Sequence, residues 1–456
     1  MAHKRTLIVA AAMMLLVDAA IKKALFSIPS FLLLSSLVTD AAAATTTTSD
    51  DCLDYDSSER TIEVACDMMF EQLEEDINDI SVIENLGNGE YLLGASIEVA
   101  DQVRLTIASP AVTWVKISNE GSPEQYNIHV RGYMDMDGVK MTSWDPNRDS
   151  VVEQDVDGSV PRPYIQYHEA EGGIIENSEL AYIGYDGNIR RGLSLTGESA
   201  NIEFRNNDIH HFWYAFYSNG AENIVIDGNK YHHNHKYAID PHTGTHDMNI
   251  TNNHVYNNPG SGIICSLDCH DILIENNTVH DNGKNGINFS RNMHDSIVRN
   301  NTIYNSDKGI RITESPNNEV YYNIIFDVSD GFYLTNPSTP DDRHTTGNRV
   351  YNNTVINADN GITVMRADGN ILSNNRLENI KGYEYLLMQG SEIEIQNQHF
   401  TDDEIAAGSK TNIVRISNSG TISVDGIDED DGDNNDDDSC IVELSADETI
   451  TIESIN

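Results

Sequence analysis

Beyond residue 200 the hydrophobic and polar positions recur with a fixed period. Taking the second residue of each Asn-Asn or similar pair as the mark gives Asn207, Asn229, Asn253, Asn277, Asn301, Asn323, Asn353 and Asn375, at intervals of 22, 24, 24, 24, 22, 30 and 22 residues. The long interval holds an insertion, Asn336 to Gly347. Within a period the order is an alternating apolar triplet, the Asn pair, a β-branched residue, a polar stretch and then Gly-Ile/Phe-x-Ile/Val, as in Ile272-Leu273-Ile274 through Gly286-Ile287-Asn288-Phe289. Three short strands and three turns fit each period, so no period can bury its own apolar residues and each must stack on the next. Leucine-rich repeats would need leucines at fixed positions, and a propeller would need longer blades with tryptophan signatures. The expected fold is all-β: a right-handed, single-stranded parallel β-helix, a solenoid of coils of 22–24 residues. Asparagines stacked at one corner would hydrogen-bond up the ladder.

The flanking sequence divides the rest. Shorter alternations such as Val103-Arg104-Leu105-Thr106-Ile107 carry the strand pattern back to about residue 95. Residues 45–94 read as a polar linker with a helical cap around Met68 to Ile80, residues 95–415 as the β-helix, and residues 416–456 as an acidic tail. Residues 1–44 read as a secretion signal: lysines before the apolar run Ala24 to Val38, then Ala42-Ala43-Ala44. A retained membrane anchor is the alternative, although Asp18, Lys22 and Lys23 interrupt any continuous span. Either way the body is expected outside the cytoplasm, secreted or attached to the cell surface. Five cysteines are too few for a disulfide framework in 456 residues, but that compartment permits Cys52–Cys66 and Cys265–Cys269 as pairs, leaving Cys440.

Charge narrows the partners. A formal charge of −45 excludes general nucleic-acid binding, which needs a basic surface to displace counterions. Nine of the fourteen residues from Asp425 to Asp438 are acidic, the mark of a solvated segment. A polyanionic ligand would still require a locally basic site on the body.

Candidate chemistry concentrates in Tyr231 to Asp247, which holds five of the sixteen histidines. In the repeat register Ala238 replaces Gly262 and Gly286, so Asp240 stacks near Ile264 and Asn288, and His242 near Ser266 and Ser290. Lys236 shares a column with Lys284, and Tyr237 with Ser261 and Asn285. Asp240 and His242 are two apart and point to one face of a strand. An aspartate where neighbouring coils keep Ile or Val breaks a local rule, and such breaks concentrate at functional sites. His232, His233 and His235 lie at a turn and read as exposed residues, with a zinc or copper site as the alternative. His210 and His211, with Trp213, Tyr214 and Tyr217 beside them, are candidates to line a groove. Strings such as Asn276-Asn277-Thr278 fall on the ladder and read as structural, not as glycan acceptors.

The string Tyr237-Ala238-Ile239-Asp240-Pro241-His242 resembles the Tyr-Gly-x-Asp-Pro-His motif of mannuronan C5-epimerases, β-helical enzymes that convert mannuronate to guluronate within alginate. Met141-Thr142-Ser143-Trp144-Asp145-Pro146 and Arg162-Pro163-Tyr164-Ile165 resemble the segment that precedes the helix in periplasmic members, and the resemblance spans roughly residues 130 to 390. It implies an isomerase acting on an acidic polysaccharide, with His242 as base, Asp240 as its partner and Tyr237 handling a proton on the opposite sugar face. Lys284 falls where secreted members carry a basic residue. Two positions depart from the family: Leu267 stands where periplasmic members place an arginine, and Ser266 where secreted members place a catalytic aspartate.

The C5 proton lies α to a carboxylate and is barely acidic until a cation or donor offsets the accumulating charge. That cation could be Lys236, Lys284 or Arg291, the last replacing the absent arginine from one coil further along. His246, Trp213 and Tyr217 complete the expected substrate contacts. The chemistry requires no metal and no cofactor; calcium could bridge an acidic protein to an acidic polymer, although no loop has the spacing of a dedicated calcium site. A polysaccharide lyase would use the same residues, and a surface β-helix that only binds carbohydrate is the non-catalytic alternative. A glycoside hydrolase would need clustered carboxylates, which the neighbouring columns lack.

Overall fold

The computed structural model describes residues 52–119, 126–187, 189–337 and 343–388, together with the backbone of five further strands up to residue 453. Among them the strands form three long sheets of 16, 15 and 13 strands, here called A, B and C. Beyond an antiparallel pair at the N-terminal end of sheets A and C, every pairing is parallel, as a coiled chain requires. One coil runs through the three sheets in the order B, C, A: His246–Thr251, His254–Tyr256, Ile263–Ser266. The chain is therefore a parallel β-helix.

Alternation decides what each strand buries. On sheet A the inward column Phe216, Ile239, Ile263, Ile287, Ile310, Phe332, Ile362 is in continuous register and wholly buried. Successive side chains of a strand point to opposite faces, so the residues between them, Asp240 and Asn288 among these, lie on the outer face.

The asparagines hold the corner between sheets B and C. Asn253 donates its backbone N–H to Asn277 Oδ1 (2.9 Å) and its side-chain amide to Ile226 O (2.9 Å), and Asn277 repeats this toward Asn301 and Ile250. The preceding residue must turn in the left-handed region, which asparagine tolerates: Asn252, Asn276 and Asn300 have φ of 56–57°. Parallel ladders run through Asn234, Asn258 and Asn282 and through Asn318, Asn348 and Asn370 at the other corners. Asn276-Asn277-Thr278 is thus ladder.

Three boundaries differ from the sequence reading. The coils begin well before residue 95, because Thr61–Val64 already pairs in parallel with Ser96–Val99 and Met68–Met69 with Arg104–Ala108. The expected cap is a short helix, Phe70–Ile77, burying Phe70 and Leu73. Past residue 416, Thr421–Asp425, Val442–Leu444 and Thr449–Glu453 extend sheets A and B. The acidic run beyond Asp425, Cys440 and the whole N-terminal segment to residue 51 lie outside the described residues. Cys52 and Cys66 are bonded, with Cα atoms 4.9 Å apart. Cys265 and Cys269 are not: both are buried free thiols, Cys269 pointing at the Pro241 carbonyl.

Candidate active site

Ile239–His242 is a sheet A strand between Tyr214–Asn219 and Ile263–Ser266. The register places Tyr217 against Asp240 and Asn219 against His242 on one side, and Ser266 against His242 on the other. Ser266 pairs with Ser290 and Ile264 with Asn288, as the repeat alignment required. The residue after each of these strands adopts a left-handed turn, φ 74° at Leu267 and 56° at Arg291. Arg291 therefore leaves the same corner as Leu267, one coil on, and its side chain reaches back across the face. Its Nη2 donates to Ser266 Oγ and lies 3.2 Å from His242 Nε2.

That contact fixes the imidazole. A guanidinium only donates, so Nε2 accepts and the proton sits on Nδ1, 2.5 Å from Thr243 Oγ1. Burial first, then the charges of Arg291 and Arg191, hold the His242 pKa down to about 4. His242 is neutral at physiological pH with its Nε2 lone pair on the outer face.

Asp240 is 2% exposed and its Oδ1 has no hydrogen-bond partner. Burial pushes its pKa up to about 8, against the opposing pull of Arg191 and Arg291. Its carboxyl is thus a neutral acid at pH 7. The Tyr237 ring packs over Gly260, where a Cβ would come within 2.5 Å of Cδ1. Burial and the nearby Asp240 raise its phenol further, keeping it protonated. Tyr214 sits 5.5 Å from Tyr237 between ring centroids, and the Tyr217 ring is 5.7 Å from His242.

Arg191, which the sequence reading missed, closes this wall: its guanidinium lies 4.6 Å over Tyr214 and 4.4 Å over Tyr217 and acts on Asp240, His242 and Tyr237. The only signal was Arg190-Arg191 immediately before a strand-opening Gly192 in a strongly acidic chain. A register shift between Gly192 and Ser194 against Tyr214–Asn219 hid its alignment.

The structure thus brings together Tyr217, Tyr237, Asp240, His242 and Arg291. It does not add the lysines. Lys236 places Nζ 4.7 Å over the Trp213 ring, Lys284 is exposed, and the cations acting on Asp240 and His242 are the two arginines. Trp213 is no sugar platform: it is 2% exposed, pressed by Gly158 of the loop that follows Asp145 and bonded to Asp186. His246 belongs to the next corner, where it pairs with Asp247 and stacks on His270 at 4.8 Å. His210, His211, His232 and His233 form stacked pairs along sheet C, with nitrogen contacts of 2.7 and 2.8 Å, rather than lining this site.

The right handed beta helix region family matches residues 159–266 and 242–400, together more than half of the 456 residues. The chain belongs to the right-handed β-helix family. Among curated proteins it is similar to a mannuronan C5-epimerase of Pseudomonas aeruginosa, 26% identical over 190 residues, which are 39% of this chain and 34% of that protein. It is also similar to a mannuronan C5-epimerase of Pseudomonas fluorescens, 29% identical over 106 residues, or 21% and 20% of the two chains. The match spans about a third or less of those relatives. Among solved structures, a periplasmic alginate epimerase superposes with a TM-score of 0.56 at 21% identity, over 86% of this chain and 85% of that one. The A-module of a mannuronan C-5 epimerase from Azotobacter vinelandii gives 0.55 at 17% identity, over 69% and 90%. At such identities these two structures establish the shared fold.

Proposed function

We propose that this chain is a mannuronan C5-epimerase-like isomerase, which removes the C5 proton of a uronate unit within a polymer and returns a proton to the opposite face. The carrying observation is the pairing of a neutral imidazole with a protonated phenol around two arginines that have no carboxylate partner among the described residues. A substrate carboxylate entering between Arg191 and Arg291 draws Arg291 away from His242 and frees the Nε2 lone pair. His242 then takes the C5 proton: the C5–H bond breaks, N–H forms, and the electron pair delocalises into the carboxyl group. Both arginines and the neutral Asp240 carboxyl, as a hydrogen-bond donor, offset the charge that builds there. Tyr237 delivers its phenolic proton to C5 from the other side, inverting the centre, and proton transfer from His242 to Tyr237 restores the resting state. General acid–base pairs of this kind supply roughly 10²–10⁴-fold.

The same reading places the protein outside the cytoplasm, in keeping with the Cys52–Cys66 bond. No helix among the described residues is long and apolar enough to cross a membrane. The test is to incubate the protein with polymannuronate in heavy water, beside a His242→Ala control, and follow the uronate signals by NMR. Deuterium at C5 with new guluronate, lost in the control, is the expected result. Unsaturated chain ends would make it a lyase. Absence of both with every polyuronate tried would leave a carbohydrate-binding protein.

A further inference from the structure

The outer face of sheet A carries polar groups that nothing among the described residues satisfies, well beyond His242. One outward column runs His129, Gln166, Ser194, Tyr217, Asp240, and, after Ile264, continues Asn288, Arg311, Tyr333. In it His129 Nε2, Ser194 Oγ, Asp240 Oδ1 and Asn288 Oδ1 are all buried without a hydrogen-bond partner. Thr313 Oγ1, in the neighbouring column that contains His242, Ser266 and Ser290, is another. Buried polar atoms are nearly always paired, with protein or with ordered water, so this row is polar enough to take water or the hydroxyl and carboxylate groups of a ligand.

Arg311 stands in this row three coils from Asp240. It is half-buried and makes no hydrogen bond or ion pair among the described residues. On sheet B, by contrast, Arg205 is matched with Glu203 and Asp227, Arg299 with Glu275 and Arg349 with Glu319. Tyr333, Glu314 and Asp307 act on Arg311 electrostatically, and among the described residues none of them bonds to it. Coils are stacked about 4.8 Å apart, which puts Arg311 roughly 14 Å from Asp240 along the axis. A 1,4-linked uronate chain advances by a similar step per sugar.

We propose that Arg311, with Asn288 and Thr313 beside it, is a second carboxylate position on this face, holding a uronate unit of the same polymer about three units from the reacting one. This rests on the polyuronate reading above. It assigns the polymer a path along the helix axis and makes engagement depend on chain length and on carboxylates remote from C5. The guanidinium takes the carboxylate, and the amide and hydroxyl meet sugar hydroxyls.

Binding, not turnover, tests it. Affinity of the full chain for polymannuronate, for its carboxyl-reduced counterpart and for a mannuronate trimer is measured by calorimetry. Arg311→Ala and Arg311→Gln, which keeps the aliphatic stem, are compared with Arg349→Ala as a control for general charge. The expected result is about tenfold weaker binding of polymannuronate by both Arg311 variants, the loss typical of one charge-assisted hydrogen bond. Carboxyl-reduced polymer and trimer should change by less than about twofold, and Arg349→Ala should change none of the three. Equal loss in Arg349→Ala, equal loss on the carboxyl-reduced polymer, or no loss in either Arg311 variant overturns the proposal while the epimerase reading stands. If the parent protein binds no polyuronate, both fall together.

Discussion

Asp240→Asn is the substitution for which the structure makes the sharpest demand. The carboxyl is buried, lacks a partner on Oδ1 and has a pKa of about 8 against an ordinary 3.8. A folded-state pKa raised above the unfolded one means that the folded protein holds a proton the unfolded chain gives up, so stability falls as pH rises from 3.8 toward 8. Each pH unit in that interval costs about 1.4 kcal/mol. Between pH 3.8 and pH 7 the accumulated cost is about 4 kcal/mol. Asparagine is nearly isosteric and never ionises. The variant is therefore expected to gain about 4 kcal/mol relative to the parent on going from pH 4 to pH 7, whatever constant offset its amide introduces. Urea unfolding of both proteins at pH 4, 5.5, 7 and 8.5 reads this as a widening gap that levels off above pH 8. A gap independent of pH, or one that narrows, would refute the reasoning: it would mean that Asp240 is ionised and ion-paired with Arg191 or Arg291. C5 exchange should fall in the same variant, as expected where a destabilised group is retained for function.

Arg291→Ala should lower C5 exchange by about 10²-fold or more, the loss typical of removing one donor from a developing oxyanion. It should also move the acid limb of the rate profile upward from about pH 4, because removing the cation beside His242 raises the imidazole pKa; a profile of exchange against pH reads both. Tyr237→Phe should abolish guluronate formation while leaving polymer binding within about twofold, checked by NMR of the product and by calorimetry. Asn277→Ala removes a side chain that accepts from Asn253 and donates to Ile250 O and Asn301 Oδ1, at an expected cost of about 3 kcal/mol from the polar groups left unpaired, measured by urea unfolding at pH 7.

The coils were legible because each column repeats one residue type: Ile263, Ile287 and Ile310 inward, Asn253, Asn277 and Asn301 at one corner. Asp240 was legible through the Asp-Pro-His string and its contrast with Ile264 one coil on, although the column as a whole is mostly polar, with Tyr217, Asn288, Arg311 and Tyr333 in it. Arg291 could be placed because it shares the turn position of Leu267, so counting one repeat was enough. Arg191 could not, since the shift at Gly192 breaks the count. Trp213 was misread because what covers it, Gly158, comes from a loop some fifty residues upstream, and no periodicity describes a loop. The early coils escaped notice because strands such as Thr61–Val64 are four residues long and contribute only two inward side chains, Ile62 and Val64.

The acidic balance of the chain and the location of its unmatched arginines answer one another. At −45 the chain would repel a polyanion, and on sheet B the guanidinium groups of Arg205, Arg299 and Arg349 are consumed by glutamates and an aspartate. Sheet A breaks that pattern. Arg191 is held by tyrosine faces, Arg291 by a neutral imidazole and a hydroxyl, and Arg311 by no bond of its own. Neutral partners position a guanidinium without cancelling its charge, and the one carboxyl among them, Asp240, is kept protonated by burial. A basic strip therefore persists along a single face of an acidic β-helix, and its parallel alignment with the helix axis favours an extended acidic chain over a compact acidic ligand. An ionised Asp240 would cancel part of the strip at its centre, so the burial that destabilises the fold at neutral pH is also what keeps that face positive.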